Sequence, residues 1–259
     1  MIQGNQRKNR VIGHLNGDLN QVLNQELLAK FKEQVGLNNK NSNVPLANFA
    51  YNFLKERGIN VHTPAELVRD WDIMPNESQF YFDSCGVAVY QRKGSNEQHR
   101  QRVLGIIGRT STDTPLIVTG LNVSKDGNTF KFEDSEYVQV TEAPYLQRDG
   151  KVQYDEASGE LVRSKNGVTV LTPKDQDGLR GVFRVRNDVL YVGDGSLSDA
   201  DGGGRVPIWQ ATESLDAKIF EEQAIDSELA GLSPEYLSRI NDLLKSEKGI
   251  KYFKDLIQK

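Results

Sequence analysis

A single cysteine, Cys85, stands in this chain of 259 residues, beside three histidines, two methionines and two tryptophans. One cysteine excludes an internal disulfide framework and any zinc site built from several thiolates. His14, His62 and His99 have neither HxxxH nor HxH spacing, so no metal-binding face can be read from them. No apolar run approaches the roughly 18 residues that a membrane-spanning helix requires. The opening MIQGNQRKNRVIGHLNG has basic residues without the apolar core of about 7–15 residues that a secretory signal carries. The expectation is a cytoplasmic protein with no membrane partner. A basic excess is lacking too: 32 Lys and Arg face 36 Asp and Glu, a net charge of −4, whereas a wholesale nucleic-acid binder shows a basic balance. Neither GxGxxG nor GxxxxGK[ST] occurs, so no cofactor is assigned.

What is present reads as an architecture. Residues 1–15 are polar and basic, an expected flexible N-terminus. Residues 16–259 read as a single α+β domain, with any seam expected near 142–150. Leu19, Val22, Leu23, Leu27, Phe31 and Val35 recur at helical spacing, and Gly36 ends the run. Leu46, Ala47, Phe49, Ala50, Phe53 and Leu54 make a second helical stripe. In a third helix Thr63 caps, Pro64 fits the first turn and Glu66 closes a capping box. Over 79–90 the period changes and both faces are apolar, the pattern of a central, covered strand. Ser95-x-x-Gln98 then reads as a capping box into a helix that ends at Gly108, and 115–123 as the next strand. Strand, helix and strand predict one βαβ unit. Short strands are expected at 137–141, 151–154, 161–163, 168–171 and 205–210, and helices over 215–257. The fold class is therefore α+β: a mostly antiparallel, multi-stranded sheet flanked by N-terminal and C-terminal helices.

Two hairpins carry specific registers. With Asp126-Gly127 at a corner, Val123 faces Phe130 and Leu121 faces Phe132. With Asn187-Asp188 as a two-residue turn, Val185 faces Leu190 and Phe183 faces Val192. Those four should be buried, and Arg184 and Arg186 exposed beside Tyr191 and Val189.

Four candidate sites follow. Cys85 would need a base in reach to act as a nucleophile, and His99 lies on the next helix; a small core residue is the plainer account. The 92–96 loop, with Arg92, Lys93, Ser95 and Asn96, precedes a helix N-terminus, where backbone N–H groups favour an anion. Segment 92–109 has five basic residues against Glu97, and its plainer account is a solvated helix with a capped start. Asp194, Asp199 and Asp201 offer hard oxygen ligands to calcium or magnesium, but the twelfth position from Asp194 is Arg205 where an EF-hand needs Glu, so a solvated loop is preferred. Arg184, Arg186 and Tyr191 would offer cation and stacking contacts to single-stranded RNA, with plain cross-strand packing preferred.

The leading expectation is a non-catalytic cytoplasmic binding or scaffold protein. The alternative is an enzyme or sensor acting on a small phosphate- or carboxylate-bearing ligand at the 92–96 loop, and the third is single-stranded RNA binding. Self-association into a homo-oligomer would use the C-terminal helices, although packing on the chain's own sheet is simpler.

Overall fold

The computed structural model describes residues 10–14, 21–37, 41–74, 81–185, 189–193, 196–199 and 203–211. The helices expected over 215–257 lie outside the described residues. In chain order the elements are β1 (Arg10–His14), α1 (Gln21–Val35), α2 (Val44–Lys55), β2 (Asn60–Val61), α3 (Pro64–Arg69), β3 (Tyr81–Val89) and α4 (Glu97–Ile106). Then come β4 (Leu116–Thr119), β5 (Asn122–Asp126), β6 (Thr129–Glu133), β7 (Gln139–Glu142), β8 (Gly150–Asp155), β9 (Glu160–Arg163) and β10 (Val168–Leu171). The last are β11 (Leu179–Val185), β12 (Val189–Val192), β13 (Gly204–Arg205) and β14 (Pro207–Ala211).

The helix boundaries follow their capping chemistry. Asn43 accepts the Leu46 N–H at 2.9 Å and starts α2, with Pro45 in the first turn. The expected capping box opens α3: Glu66 N–H donates to Thr63 Oγ1 at 3.3 Å, and Thr63 N–H donates to Glu66 Oε2 at 2.9 Å. Leu27, Phe31 and Val35 are fully buried along α1, which ends at Gly36 as its stripe predicts.

The main sheet runs β7-β4-β3-β11-β12-β10-β8-β9, with β13 alongside β3. Its pairings are antiparallel except β10 with β12 and β13 with β3, and it curves nearly into a barrel. β3 is central, as its two apolar faces require, and eight of its nine residues are buried. Its Phe82 and Ala88, with Tyr90 just beyond it, join Val170, Leu190 and Val192 on the inner face of the curve, where α3 adds Leu67 and Val68 and the turn after it Trp71. Cys85, Val87 and Val89 point the other way, into a second core with α1, α2, α4 and the β5–β6 hairpin. Full burial of each Leu or Phe contributes about 1.5–3 kcal/mol, so both cores hold β3 in place.

Three sequence expectations are corrected. The predicted βαβ unit is not parallel: Val89 pairs with Leu116 and Gly86 with Thr119, so β3 and β4 are antiparallel neighbours. A helix of ten residues spans only about 15 Å. It does not carry the chain back along a nine-residue strand, and β4 re-enters the sheet where β3 left it. The predicted strand over 115–123 breaks at Gly120, whose φ of +75° places the Tyr137 carbonyl where a Cβ would stand.

The third correction concerns the hairpins. Asp126 pairs with Thr129, so the turn is Gly127-Asn128 and Val123 faces Phe132, two residues from the expected register. Val185 pairs with Val189 and Arg184 with Leu190, one residue from the expected register, because three residues (186–188) connect the strands. Arg184 is therefore buried on the inner face, 8% exposed, and Phe183 and Val185 are half-buried on the outer face. Its guanidinium lies 3.9 Å from the Trp71 ring centre, and Nη1 donates to Trp71 O at 3.2 Å.

Candidate functional site

The register that corrects the hairpin also builds a cleft. Phe183 pairs across the sheet with Asp83 of β3 on one side and Tyr191 of β12 on the other. Asp83, Phe183 and Tyr191 thus form one row across three strands, on the outer face. Tyr81 and Tyr191 flank the Phe183 ring at 5.6 and 5.2 Å between centres, tilted by 57° and 56°. The row floors a cleft of about 370 Å³, within the size range of small-ligand sites.

Small residues keep it open. A Cβ on Gly181 would meet Val44 at 2.6 Å, and one on Gly193 would meet Phe183 at 2.7 Å. The outer wall is Ser196, Leu197 and Asp199, tied to the start of α2 by Asn43 Nδ2 donating to Ser198 O at 3.0 Å. The floor is shaped by a bulge. Between Asp83 and Val87, β3 carries three residues opposite the single Val182 of β11. Ser84 Oγ donates to Val182 O at 2.6 Å, and Cys85 N–H donates to His62 O at 3.1 Å, so the displaced backbone stays satisfied.

Asp83 is the chemical centre of the cleft. It is 4% exposed and accepts the Ser42 hydroxyl at 2.5 Å. Burial of a carboxylate is costly unless hydrogen bonds hold it, and the hydroxyl supplies one. Among the described residues that line the cleft, Asp83 and Asp199 carry charge.

Compared with protein-family models, curated proteins and solved structures, the chain has no match.

The sequence-derived sites fall elsewhere. In the 92–96 loop, Arg92 and Lys93 are exposed and Ser95 and Asn96 half-buried. α4 starts at Glu97, one residue past the expected box; Asn96 precedes it in the left-handed conformation and donates through Nδ2 to Leu179 O at 2.9 Å. Leu179 N–H donates to Ser95 O and Gly178 N–H to Arg92 O, so the loop is laced to the start of β11. Two carboxylates lie against it: Asp177 packs on Gly94, and Glu97 Oε2 accepts the Gly94 N–H at 3.3 Å. Arg92 and Lys174 share a hollow of about 250 Å³ with Asp113 and Asp175.

Cys85 is fully buried, its Sγ 3.7 Å from Val61 O, and burial followed by the field of Glu66 pushes the thiol well above its ordinary pKa. His99 stacks on Phe130 at 4.5 Å, and burial followed by the charge of Arg102 lowers its pKa. Asp194 and Asp201 lie outside the described residues, while Asp199 stands at the rim of the cleft. Among the described residues no three His, Cys, Asp or Glu converge. Arg184 and Tyr191 lie on opposite faces of β11–β12, and Arg186 is outside the described residues. The cationic-aromatic face drawn for RNA is thus split.

A second polar centre brackets α3. Asp70 receives Arg69 through Nε at 2.9 Å and Nη2 at 2.6 Å, and sits 3.2 Å from His62 Nε2, with both the Asp70 and His62 side chains fully buried. Burial raises the Asp70 carboxyl pKa, but the hydrogen bonds from Arg69 and His62 outweigh it and hold the carboxyl well below its usual range. The available signal for both centres was a charge interrupting an apolar stretch: Asp83 inside YFDSCGVAVY, and Asp70 beside Trp71.

Proposed function

We propose that this chain is a non-catalytic binding protein whose ligand occupies the cleft over Asp83, Phe183 and Tyr191. The observation that supports it is the convergence of a buried carboxylate and three aromatic rings on one cleft, floored by central strands rather than by loops. Sites floored by paired strands hold their geometry before the ligand arrives, which lowers the cost of binding. Two buried titratable groups are engaged in structure: Asp83 with Ser42, and His62 with Asp70.

The test uses Ser196, which is exposed and lines the cleft. Wild type and Ser196→Trp are incubated with a chemically mixed set of small metabolites, and retained compounds are identified by ultrafiltration and mass spectrometry. The expected result is at least one compound retained by wild type, lost with the indole in place, and recovered unchanged. Retention equal in both proteins would overturn the site. A retained compound recovered chemically altered would overturn the non-catalytic reading.

A further inference from the structure

Where asparagine or aspartate precedes glycine, the next backbone nitrogen can reach the side-chain carbonyl carbon, because glycine has no side chain to bar the approach. Four such steps fall among the described residues: Asp126-Gly127, Asp149-Gly150, Asn166-Gly167 and Asp177-Gly178. The fold engages three of them. Asp126 lies 3.9 Å from Arg102, and Asp149 Oδ1 accepts the Thr172 N–H at 2.8 Å and its hydroxyl at 2.9 Å. Asp177 accepts from the Arg180 guanidinium. These three are also carboxylates, whose negative charge repels a nucleophile. Asn166 differs on both counts. It is a neutral amide, it is exposed together with Gly167, and its side chain enters no hydrogen bond with a described residue.

The backbone around it is fixed. Residues 164–167 carry the chain across β8: Ser164 N–H donates to Lys151 O at 3.0 Å on one side, and Val168 pairs with Val152 on the other. Asn166 N–H donates to Ser164 Oγ at 3.2 Å, so the crossing holds Asn166 by its main chain and leaves its side chain in water. Gly167 has a φ of +135°, and a Cβ there would stand 2.2 Å from Val152 O. The crossing therefore requires the glycine that makes Asn166 reactive.

We propose that Asn166 is a site of spontaneous modification, where the Gly167 nitrogen attacks Asn166 Cγ and closes a succinimide ring. The new N–Cγ bond replaces the Cγ–Nδ2 bond. The Gly167 amide proton leaves with the side-chain NH2 as ammonia, and nothing is oxidised or reduced. Water then opens the ring. Cleavage at Cγ gives aspartate; cleavage at the backbone carbonyl gives isoaspartate, in which the chain runs through Cβ and Cγ and is one atom longer. Either product adds a negative charge to a chain of net charge −4. Isoaspartate also lengthens a crossing pinned at both ends, which loosens β10 between β8 and β12.

The test holds the folded full chain in mildly alkaline buffer at physiological temperature and digests samples with pepsin, whose acidity stops the reaction. Peptides containing Asn166 are expected to gain one mass unit with time and to become substrates of an isoaspartyl methyltransferase. They should convert at least about tenfold faster than peptides containing Asn122, a barrier difference of roughly 1.4 kcal/mol. Asn122 is the internal standard because Val123 follows it and donates its N–H to Asn122 Oδ1 at 2.9 Å. Asn166→Gln, which would have to close a larger ring, should abolish both signals. The aged, more acidic fraction should exchange β10 amides faster than Asn166→Asp, which has the charge without the added atom.

Conversion of Asn166 no faster than that of Asn122 would overturn the proposal; a peptide of residues 161–171 that converts in the same buffer would then show that the fold protects the step. An equal mass gain in Asn166→Gln would overturn it too, by placing the reaction at another residue. Mass gain without methylation would overturn the isoaspartate product, and equal β10 exchange in the aged chain and Asn166→Asp would overturn the loosening.

Discussion

The β5–β6 and β11–β12 hairpins start from similar sequence signals and end differently. Each alternates apolar and polar residues around a corner of turn-forming residues, and each pairs in a register other than the one those residues suggest. In β5–β6 the displacement is two residues, so every side chain keeps its face: Val123, Phe130 and Phe132 are buried as expected. In β11–β12 the displacement is one residue, so every residue of β11 changes sides, and Arg184 goes inward while Phe183 and Val185 go outward. Parity, not position, decides whether a register error matters, because side chains alternate with a period of two.

The contrast can be broken by substitution, taking the largest effect first. Phe130→Ala removes a ring that is 2% exposed and should cost about 3–5 kcal/mol in chemical denaturation. Phe183→Ala, from a half-buried outer position, should cost about 1–2 kcal/mol. Equal costs would place Phe183 back in a core and restore the one-residue-shifted register.

Arg184→Ala should fall between the two, at about 2–3 kcal/mol, from the lost charge-assisted bond to Trp71 O and the lost ring contact. An exposed arginine would cost under about 0.5 kcal/mol. A stability change that small, read from the urea midpoint, would show that Arg184 faces solvent after all.

The finest discrimination comes from pH. The Asp70 carboxyl titrates below its unfolded value, so its contribution to stability is present above the ordinary carboxylate range. That contribution disappears as pH falls through the depressed folded value. Asp70→Asn should flatten the acid limb of the stability profile between about pH 5 and pH 2. α3 packs on β11 and not on β5–β6 among the main contacts, so acidification should speed amide exchange in β11–β12 before β5–β6. Simultaneous exchange in both hairpins, or an unchanged acid limb in the variant, would refute this.

Much of the framework was legible because local rules decided it. The Thr63–Glu66 box, the buried stripe of α1 and α2, and the two apolar faces of β3 each follow from neighbours a few residues apart. The cleft was not legible in the same way. It depends on Phe183 meeting Asp83 a hundred residues earlier in the chain, and on three residues rather than two between β11 and β12. Arg184 misled for a related reason: a cation under an indole, bonded to a backbone carbonyl, is satisfied inside, and simple apolar–polar alternation takes no account of that environment.

The central place of β3 has a consequence for how the chain is made. β4 reaches one side of it within about 30 residues, but β11, on its other side, follows roughly 100 residues later. At about 5–20 residues per second of synthesis, one edge of a strand with eight buried residues waits roughly 5–20 s for its partner. An uncovered apolar edge is the form in which chains pair with the wrong neighbour. Nascent chains halted before residue 179 should accordingly bind a hydrophobic dye or chaperone that chains halted well past residue 211 release, the ribosome tunnel cleared in each case. Equal binding at both lengths would mean that β3 finds another cover in the interval.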